Sequence, residues 1–228
     1  MIGAFSGPIL NSTINFPDYD FVHIVCYNKK YDIIAVEDDV IREDPDYIHN
    51  QIIPLIPRIE KSTDSDAPSI LLLAIDSMSF LNFRRLFTKT AKLLTEKKFI
   101  ELKGYTKVGS NTFPNMVPLL TGYHSDELRD KYPDNVPYDE WPIIWYNYSK
   151  KGFVTAFVEE TPINGLFSYY GKGFRNRPTD YETRPFHMEI RSDKYNEFCY
   201  KDRTETQVFI YTTEGKIEIQ NLFVFYVS

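Results

Sequence analysis

An α/β fold built around a parallel sheet is predicted by three observations. The runs ILLLAI at 70–75 and FVTAFV at 153–158 are apolar throughout, the pattern of strands covered on both faces rather than one. Each run ends on carboxylates, Asp76 after the first and Glu159 with Glu160 after the second. Between them the apolar positions recur with helical spacing, and strand alternating with helix is the pattern of right-handed βαβ units.

Taken in order, residues 1–66 read as an irregular prefix with strand-like pieces at 21–27 and 32–36. The polar stretch KSTDSD at 61–66 marks the boundary to a main domain spanning 67–203. After the 70–75 strand, one amphipathic helix is expected over 79–98. Its apolar positions Phe80, Phe83, Leu86, Phe87, Ala91, Leu93 and Leu94 form a face suited to packing on the sheet. A short strand at 99–102 follows, then a loop, then a helix over 113–121. Pro114 fits the first turn of that helix, and Pro118 is expected to bend or shorten it. The spacing next predicts a helix over 139–150, stopped by Gly152 and leading into the 153–158 strand. Residues 204–228 read as a divergent tail of two strands around TEGK, a hairpin pattern. No internal repeat or low-complexity tract is visible.

The chain has 228 residues, 43% of them hydrophobic and 16% aromatic, enough for one sizeable core. A net charge of −6 and a pI near 5.3 argue against nucleic acid, whose backbone is bound by clustered Lys and Arg. Arg84-Arg85 and Lys97-Lys98 read as solvated helix faces. The longest apolar stretches are strand-length, well short of the roughly 20 residues that span a bilayer, so no membrane span is expected. The first residues lack the basic and apolar regions of a signal peptide. Cys26 and Cys199 leave a disulfide and two free thiols equally open, and the oligomeric state is not legible. Asn11-Ser-Thr13 and Asn147-Tyr-Ser149 are glycosylation sequons.

Chemistry concentrates in KVGSNTFPNMVPLLTG at 107–122, which places the Thr112 hydroxyl where a helix begins. Helix amides and the positive end of the macrodipole favour an anion there, so a phosphate or sulfate ester can lie against a nucleophilic Thr112 oxygen. The plainer alternative is an N-cap. Ligands of open α/β sheets gather beyond the carboxyl ends of strands, where Asp76 is expected to share the crevice with Thr112. Both are hard oxygen donors able to hold a divalent metal. Asp76 can equally cap the next helix, as can Ser77 or Ser79. Asn111, Asn115 and Lys107 are candidates for contacting substrate oxygens, although Asn is also an ordinary turn residue and Lys an ordinary solvated one. Glu159 and Glu160 are expected at the same sheet end, where either can reach the crevice or stand as a charged strand end in water. The histidines at 23, 49, 124 and 187 are scattered and form no metal-ligand spacing. A rival acidic triplet at 37–39, of the kind that holds a metal–nucleotide pair, lacks a flanking strand of good quality.

At these residues the chain resembles the alkaline phosphatase superfamily of phosphodiesterases, sulfatases and phosphoglycerol transferases. Asp76 closing the first strand is similar to that superfamily's first metal ligand, and NTFPN at 111–115 with LTG at 120–122 to its phosphodiesterase nucleophile segment. Closer still is the sulfatase-like animal family termed domain of unknown function 229. It shares the wording IDSMS, ELKGYTKVGSNTFPN and LLTG and the later run GKGF, PTDY and RPF, over roughly residues 68–203. The resemblance implies an αβα sandwich, here incomplete, and a metal-dependent phosphoester or sulfoester hydrolase. Thr112 would be nucleophile and metal ligand, Asp76 a metal ligand, and zinc the metal. It also implies a phosphate or sulfate ester substrate and a secretory-pathway or extracellular setting. The superfamily's later Asp and His ligands stand in an Asp-His-Gly context, and no Asp-His pair occurs here. The expectation is therefore a fragment with little or no activity by itself, alternatively a non-catalytic binding or interaction domain that keeps the fold.

Overall fold

The computed structural model describes residues 21–27, 47–55, 59, 61, 67–133, 136–169, 171–192, 199–200, 203–204 and 222–227. They fall into two compact units, one drawn from 59–184 with 219–228 and the other from 1–58 with 185–218.

In the first unit the apolar runs form strands of one parallel sheet. β3 (Ile70–Ala74) and β4 (Val154–Glu159) both pair in parallel with β8 (Leu222–Val227), and β4 pairs in parallel with the short β5 (Tyr181–Glu182). The order β3-β8-β4-β5 makes 70–75 and 153–158 parallel near neighbours, separated by one strand. That strand is the end of the expected hairpin, carried into the middle of the sheet instead of folding back on its own partner; the 206–211 half of the hairpin lies outside the described residues.

Burial separates the two long strands. β4 is buried at every residue, but on β3 the residues alternate between half-buried and exposed, with Leu71 at 67% and Leu73 at 60% exposure. Register explains which face is open: Leu71 aligns through Val224 with Ala156, and Leu73 through Tyr226 with Val158. This sheet face is covered over β4 and uncovered over β3, so the expectation of a strand buried on both faces holds for 153–158 and fails for 70–75. The opposite face of β3 packs Ile70, Leu72 and Ala74 on the main core.

The helix expected over 79–98 is two helices, α1 (Phe80–Leu86) and α2 (Thr88–Glu96). Phe87, with φ −99° and ψ 47°, leaves the helical region between them. Neither contains a buried residue, so the expected packing of this segment on the sheet does not occur. Residues 99–102 form no strand. α3 (Phe113–Thr121) runs its predicted length despite Pro118, ending on Gly122 at φ 78°, whose N–H returns to Pro118 O at 2.9 Å. α4 (Ser125–Lys131) follows. The helix expected over 139–150 begins only at Ile144 as α5 (Ile144–Lys150), preceded by a single 3-10 turn at Tyr138–Glu140. Pro142 is the cause, because it forces Trp141 into extended backbone at φ −68° and ψ 144°.

The core is aromatic. Phe113, Val117 and Leu120 of α3, Leu128 of α4, Trp145 of α5 and Phe157 of β4 gather with Trp141, Ile143 and Phe167. Lys61 fastens the start of this unit: its ammonium donates to Asp180 Oδ2 at 2.6 Å and to Ser149 Oγ at 2.9 Å. The same Asp180 oxygen accepts from the backbone N–H and the hydroxyl of Thr155, at 2.8 and 2.9 Å.

The second unit pairs β1 (Phe21–Tyr27) antiparallel with β2 (Tyr47–Pro54), and its small core joins Ile52 and Phe21 to Phe186 and Ile190 of α6 (Arg184–Ser192). A short antiparallel pair, β6 (Cys199–Tyr200) and β7 (Arg203–Thr204), completes its described elements. The strand-like piece at 32–36 and the acidic triplet at 37–39 lie outside the described residues.

Candidate functional site

Asp76 stands two residues beyond the end of β3, and Thr112 immediately before α3. The Thr112 hydroxyl donates a hydrogen bond to Asp76 Oδ1 at 2.9 Å. Neither side chain caps a helix. Thr112 makes no side-chain cap bond to α3, and the cap of α1 is Ser79, whose hydroxyl accepts from Asn82 N–H at 3.3 Å.

The loop carrying Thr112 is held in a set shape. Asn115 makes four hydrogen bonds with it: its side-chain oxygen accepts from Val108 N–H at 2.8 Å and Gly109 N–H at 3.3 Å, and its amide donates to Gly109 O at 2.8 Å and Asn111 O at 2.6 Å. Two donors and two acceptor sites are the full capacity of a carboxamide, so Asn115 acts on the loop itself. Asn111 adopts φ 72°, a left-handed conformation that Asn tolerates better than most residues. Gly109 passes so close to Pro114 that an added Cβ would lie 2.7 Å from that proline's Cβ. Lys107 and Asn111, on the same loop as Thr112, are exposed. The clamp was legible only as turn-forming Asn in the sequence; its four bonds depend on the loop's path.

Replacing Asn115 with Ala is expected to lower stability by about 1–2 kcal/mol, the scale of leaving partly buried amides without acceptors. Asn115→Asp, which keeps the acceptor oxygen but sets a second one against Gly109 O and Asn111 O, should not recover the loss. Amide exchange at Val108 and Gly109 reads the effect directly: unchanged rates in the Ala variant would show that the clamp does not hold the loop.

The start of α3 is poorer in donors than the sequence implied. Pro114 contributes no amide, and Asn115 N–H turns back to Thr112 O at 3.1 Å. Glu159 also differs from expectation. Its carboxylate turns inward, 7% exposed, and accepts from Leu166 N–H at 2.5 Å. Burial pushes its pKa up to about 7, against the opposing pull of the Leu166 N–H and the Arg184 charge.

Hollows of about 240 and 570 Å³ are lined by residues of 136–150 with 175–176, and neither includes Asp76 or Thr112. Zinc fits poorly, since the pair offers two oxygens where a catalytic zinc takes three protein ligands. Among the described residues no group of three or more His, Cys, Asp and Glu is placed to hold a metal ion.

Fold and site together define a mixed α/β protein with a threonine–carboxylate pair at the carboxyl end of a parallel strand. The family model described as protein of unknown function (DUF229) matches residues 10–217, and the chain belongs to that family. The match extends well upstream of the 68–203 stretch that carries the resemblance in the sequence. No curated protein and no solved structure matches the chain.

Proposed function

We propose that the chain carries the nucleophile half of an ester-hydrolase site of sulfatase or phosphodiesterase type, within an incomplete αβα sandwich of alkaline phosphatase kind. The single observation that carries this reading is the 2.9 Å hydrogen bond from Thr112 Oγ1 to Asp76 Oδ1, in a position where neither residue serves as a helix cap. A hydroxyl is a weak nucleophile at neutral pH, and a carboxylate in hydrogen-bond reach can take its proton as the oxygen attacks. The Thr112 oxygen then bonds to phosphorus or sulfur, the alcohol departs with the bonding electrons and picks up a proton, and Asp76 holds the proton lost by Thr112. Water later cleaves the phospho- or sulfo-threonine. The order of parallel strands supports the same reading, because the pair opens where such sheets receive ligands. Lys107 and Asn111, exposed on the same loop, are the candidates for the ester's charged oxygens.

With two oxygen donors where a catalytic metal takes three ligands, the chain alone is expected to turn over little or no substrate. The test is therefore a covalent one. Prolonged incubation with an activated aryl phosphate or aryl sulfate should add one phosphoryl or sulfuryl group at Thr112, read by peptide mass spectrometry. Thr112→Ala should remove the label, and Asp76→Asn should slow it by about 10²-fold, the lower range for a positioned general base. Labelling at other residues only, or equal labelling in the Asp76 variant, would reject the site. Zinc titration adds a second readout: binding should be weak and fall further in Asp76→Ala.

A further inference from the structure

Exposed apolar side chains on this protein are not scattered. Of the eighteen large ones exposed among the described residues, twelve lie between 71 and 108. The two most exposed are in the stretch after α2, Ile100 at 87% and Leu102 at 71%, and Phe99 there stands at 69%. Lone exposed apolar residues are ordinary, but a concentration in one stretch of chain points to a surface that meets something.

The charge of this segment identifies the chemistry of its partner. Residues 80–108 hold eight Lys and Arg against two Glu, in a chain whose net charge is −6. Both glutamates are engaged locally, Glu101 with Arg84 at 3.4 Å and Glu96 with Lys92 at 3.8 Å. Lys97, Lys98, Lys103 and Lys107 are exposed, and among the described residues no ion pair holds them. Lysines therefore interleave with the apolar side chains along one irregular stretch. Lys98 adds an independent sign: it sits just past α2 at φ 57°, a left-handed position that glycine fills without strain. The chain thus carries a charged side chain where backbone economy favours none.

We propose that α2 and the 97–108 segment form a docking surface for an anionic lipid bilayer. Phe99, Ile100 and Leu102 enter the headgroup region, and Lys97, Lys98 and Lys103 lie against the lipid phosphates and carboxylates. This is the division of labour of interfacial segments, in which apolar burial and attraction to anionic lipid add. The acidic remainder of the chain is repelled by the same surface, so the protein approaches by this face. The inference is independent of any chemistry at Thr112.

Flotation of the full chain with vesicles tests it. Binding to phosphatidylcholine vesicles containing phosphatidylserine should exceed binding to phosphatidylcholine alone at least tenfold, and should weaken as salt is raised. Combining Lys97→Glu, Lys98→Glu and Lys103→Glu should lower the partition coefficient by about 10²-fold, on the scale of each juxtamembrane lysine's contribution. Combining Phe99→Ser, Ile100→Ser and Leu102→Ser should weaken binding without changing its salt dependence. These six positions are solvent-exposed, and unchanged circular dichroism would confirm that the fold is intact. Equal binding to both vesicle types, or apolar variants that bind like the wild type, would overturn the proposal. So would a dimer in lipid-free sedimentation that the Phe99, Ile100 and Leu102 variant abolishes, because the face would then belong to a second copy.

Discussion

Trp145→Ala is expected to remove about 3–5 kcal/mol of stability from the unit holding the parallel sheet, the cost typical of truncating a large buried aromatic. Trp145 is fully buried, and its indole stacks on Phe157 at 5.3 Å with edge contacts to Phe167 at 5.9 Å and Phe174 at 6.1 Å. It is the residue through which α5 meets β4 and the 166–174 segment, so the void left by alanine has three aromatic walls. A closely packed wall of rings collapses little, which keeps the cavity term large. Against a typical total of about 5–15 kcal/mol, the loss should move the urea midpoint well below that of the wild type. Trp145→Phe should lose less, since a six-membered ring preserves part of the stacking. Trp141, the other of the chain's two tryptophans, lies in the same cluster and reports the transition by fluorescence. A loss under about 1 kcal/mol would mean that this cluster is not the core of the unit.

What the sequence discloses about this fold follows from how local each signal is. The 153–158 strand was legible because it is buried by neighbours on both sides, and an unbroken apolar run says so. The 70–75 run looks the same, yet one face of β3 is open; whether a second layer covers a strand is decided by distant segments and leaves no mark in the strand itself. The break at Phe87 has no glycine or proline to announce it, so the 79–98 helix reads as continuous. Pro142 stands inside the helical spacing of 139–150 and overrides it through its effect on Trp141, so the helix reads as starting too early. α4 has only seven residues, and periodicity over so few does not distinguish helix from strand.

The candidate site was legible to a similar degree. Asp76 and Thr112 are 36 residues apart, and only the rule that parallel sheets gather ligands beyond their strand ends brought them together in the sequence. Their contact is a hydrogen bond between side chains, so the cap readings that propensity favours describe neither residue. Asn115 and Glu159 were less legible, because a carboxamide's partners and a carboxylate's direction are set by loop paths. Glu160, next in the chain, is half-buried rather than enclosed, and one step along a strand end is enough to change the fate of a carboxyl group.

That enclosure makes Glu159 a pH-sensitive element, and Glu159→Gln should expose it. Burial raises the folded-state pKa from an ordinary 4.5 to about 7. Between those values the folded chain holds a proton that the unfolded chain has released, so stability should fall as pH rises from 4.5 to 7 and level off on either side. The full change amounts to about 3 kcal/mol, at roughly 1.4 kcal/mol per unit. Glutamine keeps a side-chain oxygen for the Leu166 N–H and carries no charge at any pH. The variant should match the wild type under acid conditions and exceed its stability by about 3 kcal/mol above neutrality. Its difference from the wild type isolates this group from every other carboxylate that titrates. Gly165 sharpens the expectation, because a Cβ there would meet Glu159 Oε2 at 2.1 Å, so the carboxylate occupies the space that a side chain at 165 would fill. Urea unfolding of both proteins across this pH range is the measurement. Parallel stability curves would show that Glu159 is ionised and solvated in the folded chain, and that the loop at 161–168 opens to let water reach it.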